Sequence, residues 1–251
     1  MLLAVAGKGG VGKSTLSALL VQALHEDSGK IVLAVDADPN SNLGEKLGAP
    51  AGKTIGDLRE ELLRMSEESA GVSKQDLVRY QLQMAKVEGN GFDLISMGRP
   101  EGPGCYCYIN NLLRLFIDEM SSAYDHVVVD NEAGMEHLSR RTTRRMDALL
   151  LVSDASPLGI RTARRLKELA AEMQLDVGRI LLVVSRAERL GPEAAAEAAA
   201  AGFVDIHFIP EDQQVAKATL EGRPLISLGP TPARTGALLL LKALREGGRP
   251  I

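Results

Sequence analysis

The sequence predicts an α/β fold of three layers, in which helices cover both faces of a doubly wound, mainly parallel sheet. Short apolar runs of strand length recur along the 251-residue chain, and longer helix-like stretches separate them. The runs are apolar at consecutive positions, as expected for parallel strands that helices bury on both faces. Strands that alternate with helices in this way are joined by right-handed crossovers, which gives the doubly wound arrangement.

Seven segments have the length and apolar content of buried strands. They are 2–6, 31–35, 92–97, 126–130, 148–152, 180–184 and 204–209. Helices are predicted at 14–27, 110–122, 162–173 and, near the C-terminus, 236–248. No linker rich in Pro, Gly or Ser and no internal repeat divides the chain, so we expect one domain over residues 1–251.

One stretch interrupts the alternation of strands and helices. Residues 43–91 contain no convincing strand, and the segments 54–65 and 73–88 within it have the pattern of helices. We therefore expect a helical segment to be inserted between the second and the third predicted strands.

Composition argues against several classes of function. The chain has 29 lysines and arginines against 33 acidic residues, a net charge of −4, so no global basic field attracts nucleic acid. Aromatic residues make up 3% of the chain and Trp is absent, which disfavours base-stacking platforms. The N-terminus has no signal-peptide pattern, and no apolar run approaches the ~20 residues of a membrane span. We predict a cytoplasmic protein with neither a membrane nor nucleic acid as its partner.

The first predicted strand leads directly into a phosphate-binding motif. GKGGVGKS, residues 7–14, satisfies GxxxxGK[ST] and lies between a strand and a helix, the context that a P-loop requires. Glycines let the backbone wrap around phosphate oxygens, and the N-terminus of the helix adds a positive dipole. Lys13 is expected to reach the β- and γ-phosphates, and the Ser14 hydroxyl to ligate Mg²⁺. The predicted nucleotide-binding loop comprises Gly7, Lys8, Gly9, Gly10, Val11, Gly12, Lys13, Ser14 and Thr15.

A dinucleotide site is the rival interpretation of the same loop. Gly7, Gly9 and Gly12 also spell GxGxxG, and Asp36 ends the next strand about where a ribose-binding acid would lie. The pair Lys13-Ser14 and a second acidic segment later in the chain favour a nucleoside triphosphate instead.

Carboxylates stand at the ends of two predicted strands, where open α/β sheets bind ligands. Asp130 has the place of the residue that holds Mg²⁺ through water, and Asp38 is placed to orient or activate the attacking water. Asp36 is expected to brace either the Mg²⁺ shell or the loop. Each residue alone is also compatible with a helix cap or a turn, but together with the P-loop they favour a functional site.

These motifs resemble those of the MinD/ParA/nitrogenase-iron-protein group of ATPases. Lys8, the second residue of GKGGVGKS, marks the deviant Walker motif of that group, and VDADPN and DNEAG match its two switch regions. The resemblance implies an ATP-dependent homodimer in which Lys8 reaches across the interface to the partner's phosphates. It also implies that Lys8, Lys13 and Asp38 together carry the hydrolysis of ATP to ADP.

The same resemblance extends to the segment near the base. IPED matches it and implies that Pro210, Glu211 and Asp212 contribute to nucleotide binding. Members of the group often place Asn after the preceding strand to bind adenine, whereas this chain has Ser185-Arg186 there. The sequence thus specifies the phosphate site more fully than the base site.

Both cysteines of the chain, Cys105 and Cys107, lie in the stretch GPGCYCY. They could be small buried hydrophobic residues, but the turn-forming segment before them is not typical of a deep core. A disulfide between them would close a strained ring, and a redox pair normally has the spacing CxxC. In extended backbone both thiolates can bind one ion, and a two-fold dimer supplies four sulfurs. Thiolates suit Zn²⁺, Cu(I) and iron–sulfur clusters, and can hold Ni²⁺.

The combination of P-loop and CxC resembles one branch of the group, the CooC-type maturation ATPases of carbon monoxide dehydrogenase. The matching stretches are AGKGGVGKST, VDADPNSNLG, MGRPEGPGCYCYINNLLR and DNEAGMEHLSRRT, and the layout is similar over nearly the whole chain. This resemblance implies that Cys105 and Cys107 bind Ni²⁺ or Zn²⁺ at the dimer interface. It further implies that ATP hydrolysis assists nickel insertion into carbon monoxide dehydrogenase, with acetyl-CoA synthase as the alternative client.

Three other functions occur in the same group. A nitrogenase-type reductase needs a second cysteine within 130–145, where the sequence has none. A ParA-like partition ATPase binds DNA through basic residues, and arginines do cluster at 139–145 and 161–165, although a solvated helix face has the same pattern. A MinD-like protein uses an amphipathic C-terminal helix on membranes, but 236–248 is better explained as a helix packed on the sheet.

Overall fold

A computed structural model of the protein describes residues 1–40, 42–50, 52–57, 80, 83–98, 123–133 and 145–246. The strands in these residues are β1 (Leu2–Gly7), β2 (Val32–Ala37), β3 (Val87–Glu88), β4 (Phe92–Ser96), β5 (His126–Ala133), β6 (Arg145–Ser153), β7 (Asp176–Ser185) and β8 (Ile206–Ile209). In this part of the chain they form a single sheet in the order β3-β4-β2-β5-β1-β6-β7-β8. Every neighbouring pair is parallel except β3 with β4.

Helices cover both faces of this sheet. They are α1 (Lys13–Ser28), α2 (Asn42–Leu47), α3 (Pro157–Glu172), α4 (Pro192–Ala200), α5 (Gln213–Leu220) and α6 (Pro232–Glu246), with a 3₁₀ turn at Leu225–Ser227. Buried side chains of α1, α2, α5 and α6 share one hydrophobic core, whereas those of α3 and α4 share the other. The predicted three-layer α/β fold is therefore confirmed. Among the described helices, none combines the length and the hydropathy that a bilayer crossing requires.

The apolar runs have a direct explanation in β1. All six of its residues are buried. Leu3 and Val5 face the core beneath α1, while Leu2, Ala4 and Ala6 face the core beneath α3. A strand covered on both faces loses the polar alternation of a half-exposed strand, which is why its sequence is continuously apolar.

β3 corrects the prediction for the inserted segment. The sequence predicts a helix over 73–88 and no strand within 43–91, but Val87 and Glu88 pair antiparallel with Leu94 and Asp93. The hairpin between them turns through Asn90-Gly91, a dipeptide that favours tight turns because Gly91 adopts a positive φ of 86°. The turn signal was present in the sequence, and a strand of two residues was too short to show a period.

Other differences concern the ends of elements. α3 begins at Pro157, five residues before the predicted start, because the Ser156 hydroxyl caps it by accepting from the Gly159 N–H at 3.0 Å. β7 begins at Asp176 rather than 180, paired with the early start of β6 at Arg145.

Several predictions lie outside the described residues. They include the helix at 110–122 and about half of the inserted segment 43–91. Residues 43–47, 55–57, 80 and 83–85 of that segment are described and helical. The C-terminal helix α6 does pack into the fold as expected, since Ala237, Leu240 and Leu241 are buried against the α1 side of the sheet. A single domain over 1–251 stays a prediction.

Candidate functional site

The loop between β1 and α1 has the conformation of a phosphate-binding loop. Gly10 and Gly12 adopt positive φ angles of 78° and 97°, which disfavour residues with a Cβ. At Gly7 a Cβ would overlap the carbonyl oxygen of Val152 on the neighbouring strand. α1 begins immediately afterwards at Lys13, so its N-terminus adjoins the loop. Gly7, Gly10 and Gly12 are thus required by the backbone geometry of the loop.

Lys13 is a buried cation surrounded by acids. Its side chain is 7% exposed, and its ammonium donates to the Lys8 carbonyl oxygen at 3.3 Å. Burial lowers its pKa, while the negative charges of Asp130, Asp38 and Glu132 act in the opposite direction. The lysine is therefore held at the loop with little water around it, which strengthens its attraction to an anion.

Asp130 lies at the centre of the site. It is fully buried within β5, which continues to Ala133, and its Oδ1 accepts from the Ser17 hydroxyl at 3.0 Å. Burial raises its pKa to about 6, although hydrogen bonds from Ser14 and Ser17 and the charge of Lys13 favour its ionised form. Oδ2 of Asp130 has no hydrogen-bond partner in the described chain. A buried carboxylate oxygen left without a donor is an acceptor for a cation or its water.

Asp36 is the cross-strand neighbour of Asp130 in β2 and is also fully buried. Its two oxygens accept from the backbone N–H groups of Asp38 at 3.1 Å and Leu43 at 2.8 Å. Burial and the charge of Asp130 raise the pKa of Asp36 to about 8, although the hydrogen bonds lower it. Of the two roles that the sequence left open for Asp36, this geometry favours bracing of the loop.

Asp38 is half-buried on the loop that follows β2. Its Oδ1 accepts from the backbone N–H and the side-chain amide of Asn40 at 2.8 and 2.9 Å. Its charge acts on Lys13, so the structure brings Asp38 to the lysine side of the site. The exposed Lys8 lies on the P-loop itself, where its charge acts on Asp154.

Sequence reasoning missed two polar residues of this site. Ser17 is fully buried in α1, one turn after Ser14, and a polar residue on that buried helix face was the available signal. Lys46 on α2 is half-buried; burial lowers its pKa, and the charge of Asp130 opposes that shift. Its position depends on how α2 packs, which no local pattern indicates.

A cavity of about 410 Å³ extends from the P-loop to the residues after β8. Pro210, Glu211 and Asp212, which the family resemblance assigns to the nucleotide, line it. Ser185 and Arg186 also line it, and the Ser185 hydroxyl donates to the Val11 carbonyl at 2.6 Å. The predicted phosphate and base segments are therefore brought together at one edge of the sheet.

The carboxylate of Asp212 is engaged by the scaffold. It caps α5 by accepting from the N–H groups of Gln214 and Val215, and it accepts from the N–H of Ala233 at the start of α6. Burial opposes its ionisation, but these bonds and one from Thr231 outweigh burial and lower its pKa. Asp212 thus ties two helix ends together at the cavity wall.

The metal prediction falls on residues that the structure does not describe. Cys105 and Cys107 lie between the described ranges 83–98 and 123–133. Within the described ranges, no group of three or more His, Cys, Asp or Glu side chains is arranged to hold a metal ion.

The arginine cluster on α3 is largely engaged with acids. Arg161 pairs with Glu197 at 2.9 Å, and Arg164 pairs with Glu168 at 3.6 Å. Arg140, Arg141 and Arg144 lie outside the described residues. The described part of the cluster agrees with a solvated helix face that also contacts α4.

Comparison with known proteins agrees with this site. Residues 2–225 match the model of the CobQ/CobB/MinD/ParA nucleotide binding domain. The chain is 44% identical over 235 residues to an uncharacterized ATP-binding protein of Methanocaldococcus jannaschii, covering 91% of each. It is 32% identical over 185 residues to the carbon monoxide dehydrogenase accessory protein CooC of Rhodospirillum rubrum, covering 69% of this chain and 70% of that protein.

A solved structure shows the same fold. The septum site-determining protein MinD from Pyrococcus horikoshii OT3, solved in complex with Mg-ADP, superposes with a TM-score of 0.69 at 20% identity. The match covers 98% of this chain and 96% of that one. With its P-loop, its buried acidic strand ends and these matches, the chain belongs to the CobQ/CobB/MinD/ParA nucleotide-binding family of P-loop ATPases.

Proposed function

We propose that this ATPase couples Mg²⁺-dependent ATP hydrolysis to delivery of nickel, through a metal site that two copies of the chain share. The hydrolytic part depends above all on Asp130, a fully buried carboxylate with one unpartnered oxygen beside the P-loop lysine. The delivery part is supported by the CxC motif and by the similarity to the accessory protein CooC.

The residues present fit a Mg²⁺ ion bound with the nucleotide. Asp130 Oδ2 is free to accept from a metal-bound water, and the Ser14 hydroxyl, which lies beside Asp130, would be a second oxygen ligand. Mg²⁺ bound there would neutralise charge on the β- and γ-phosphates. The complex of the related MinD with Mg-ADP supports this assignment.

The other charged residues then have distinct roles in hydrolysis. The Lys13 ammonium exchanges the Lys8 carbonyl for phosphate oxygens, and Lys8 binds the phosphates held by the partner copy. Asp38 orients a water molecule, whose oxygen attacks the γ-phosphorus while the bond from phosphorus to the bridging oxygen breaks. The Asp38 carboxylate accepts the proton that this water loses. ADP and inorganic phosphate are the products.

The base occupies the cavity beside the P-loop. Pro210 and Glu211 line its wall, and we assign contacts with the base to them. The backbone from Gly7 to Thr15 binds the phosphates. Asp212 contributes indirectly by fixing the start of α5 and α6 around the cavity.

Nickel is the cargo in this proposal. Cys105 and Cys107 of each copy would present four thiolates to one Ni²⁺, and Zn²⁺ would suit the same ligands. Closure of the dimer around ATP changes the spacing of these thiolates, and hydrolysis releases the ion to a client. The client is carbon monoxide dehydrogenase, with acetyl-CoA synthase as the alternative that shares the chemistry.

Light scattering of the full chain, with and without Ni²⁺, tests the shared site. Ni²⁺ is expected to shift wild type from monomer to dimer and to leave Cys105→Ala/Cys107→Ala monomeric. Linkage is reciprocal, so the factor by which nickel raises the affinity of the two copies for each other is also the factor by which dimerisation raises nickel affinity. A non-hydrolysable ATP analogue that drives dimerisation should therefore raise nickel affinity. Equal nickel-driven dimerisation of both proteins would refute the metal part.

Client choice is tested by adding the nickel-loaded ATPase and ATP to nickel-free carbon monoxide dehydrogenase and, in parallel, to nickel-free acetyl-CoA synthase. Activation of the first alone supports the proposal, and activation of the second alone selects the alternative. A partition function is the remaining candidate, and salt-sensitive binding to random duplex DNA would support it. Pairing of Arg161 and Arg164 with acids disfavours that outcome.

A further inference from the structure

Arg186 lies at the mouth of the base-side cavity in a backbone conformation that arginine disfavours. Its φ is +54°, and among the described non-glycine residues only Gln174 shares a positive φ. Gln174 follows the end of α3, where left-handed residues commonly terminate helices, whereas Arg186 follows strand β7. The conformation of Arg186 therefore needs another explanation.

The residues on either side of Arg186 are tied to the scaffold. The Ser185 hydroxyl donates to the Val11 carbonyl at 2.6 Å, which joins the end of β7 to the P-loop. The Ala187 N–H donates to the Ile209 carbonyl at 3.1 Å, which joins the next residue to the end of β8. These two bonds hold the strained residue between them and keep its position fixed.

The side chain of Arg186 reaches back over the P-loop. Its Nη2 lies 3.4 Å from the Gly10 carbonyl oxygen, and the side chain is exposed. A hydrogen bond of that length is weak. The guanidinium thus lies at the rim of the cavity without strong anchoring, and its planar face is available to a ligand.

The cavity itself suits a flat, apolar ring. Its walls include Val152, Val183 and Val215. The polar atoms of Ser185 and Asp212 on the same wall are engaged by backbone groups. A base entering this cavity gains affinity from apolar contact and from any planar group that covers it.

The geometry points to Arg186 as the residue that fixes the base, with its guanidinium stacked on the purine ring and closing the cavity. A cation on the face of an aromatic ring is attracted to it, and the ring covers the exposed arginine in return. The inference deepens the proposed nucleotide site, because it assigns to Arg186 a contact with the base rather than with the phosphates. A purine offers more stacking surface than a pyrimidine, so ATP is favoured over CTP or UTP.

The test compares ATP with tripolyphosphate, which carries the phosphates without a base. In calorimetric titrations with Mg²⁺ present, Arg186→Ala should weaken ATP binding about tenfold and change tripolyphosphate binding less than twofold. Arg186→Lys keeps part of the cation–π attraction but loses the planar stacking surface, so its ATP affinity should lie between those of wild type and Arg186→Ala.

Two controls separate stacking from other effects. Arg186→Gly keeps the left-handed backbone without strain, and it should lose the same ATP affinity as the alanine variant. Arg189→Ala removes another exposed arginine, which does not line the cavity, and should bind both ligands like wild type.

Equal weakening of ATP and tripolyphosphate by Arg186→Ala would show a phosphate contact and overturn the inference. Unchanged ATP affinity would overturn it as well. Failure of the nucleotide site itself gives a different result, since wild type would then bind neither ligand and Lys13→Ala would change nothing.

Discussion

At the phosphate end of the site, charged side chains are buried against one another, whereas at the base end they are bonded to backbone or left in solvent. Lys13, Asp36 and Asp130 are each less than a tenth exposed. Burial disfavours the charged form of each side chain, so it lowers the pKa of Lys13 and raises those of Asp36 and Asp130. Asp212 is as buried as Lys13, but backbone N–H groups lower its pKa. Arg186 at the same end is exposed.

Buried charged side chains thus serve the chemistry at the phosphate end and the stability of the fold at the base end. A carboxylate such as Asp212, with its hydrogen bonds satisfied, stabilises the fold and has little left to offer a ligand. A carboxylate such as Asp130, with one buried oxygen unpartnered, is stabilised when a ligand supplies the missing hydrogen-bond donor or cation. Substitutions of these buried side chains should therefore affect hydrolysis at the phosphate end and stability at the base end.

The largest effect is expected from Lys13→Ala at the phosphate end. Loss of a buried cation that meets developing negative charge should lower kcat/KM for ATP about 1,000-fold. The free energy of unfolding without nucleotide should change little or rise, because the ammonium is desolvated in the empty site. Phosphate release and urea unfolding on the same preparations measure both, and a large stability loss with intact hydrolysis would reverse the assignment.

Asp38→Asn should affect turnover alone. The variant keeps an oxygen to accept from Asn40 but cannot take a proton from water, so kcat should fall about 100-fold with unchanged ATP affinity. Single-turnover kinetics and nucleotide titration measure the two separately. A wild-type kcat in this variant would remove Asp38 from the mechanism.

Asp212→Ala is the matched substitution at the base end and should show the opposite pattern. It removes the cap of α5 and leaves the N–H of Ala233 buried without an acceptor. The free energy of unfolding should fall by about 2 kcal/mol, while kcat at saturating ATP stays within about twofold of wild type. Urea unfolding and steady-state kinetics test this, and a variant that is fully stable yet inactive would contradict the comparison.

The stability of the wild-type chain should also depend on pH. Asp36 and Asp130 have pKa values of about 8 and 6 in the folded chain, above the ordinary 3.8. Each carboxyl group therefore holds a proton in the folded state, but not in the unfolded state, at pH values between 3.8 and its raised pKa. Without nucleotide, this pair makes stability fall as pH rises from about 4 to about 8, by at most about 1.4 kcal/mol per pH unit for each proton. Asp36→Asn should flatten the curve between pH 6 and 8 in urea unfolding, and parallel curves would exclude Asp36 as the cause.

The two ends also differ in how far the sequence could predict them. Phosphate binding requires a particular backbone and particular charges, so GKGGVGKS and the acidic strand ends predicted the residues that the structure brings together. Ser17 and Lys46 join that site only through the packing of their helices, which local spacing does not encode. At the base end, Ser185 stands where members of the group often have Asn, and its hydroxyl bonds the P-loop.

The fold shows the same division between local and tertiary signals. All seven predicted strands are present, because burial on both faces leaves a continuous apolar run. The sequence does not predict β3, because a strand of two residues is too short to show a hydrophobic period. Only its hydrogen-bonded pairing with β4 defines it. The function of Cys105 and Cys107 stays a prediction from the motif.

Whether two copies of the chain share one metal ion is best measured by the stoichiometry of nickel in the nucleotide-bound assembly. Equilibrium dialysis against Ni²⁺ with a non-hydrolysable ATP analogue, combined with the mass from light scattering, gives ions per assembled chain. We expect a two-chain particle that carries one ion and loses it in Cys105→Ala/Cys107→Ala. A full equivalent of nickel on every separate chain, or retention of the ion by the double variant, would contradict it.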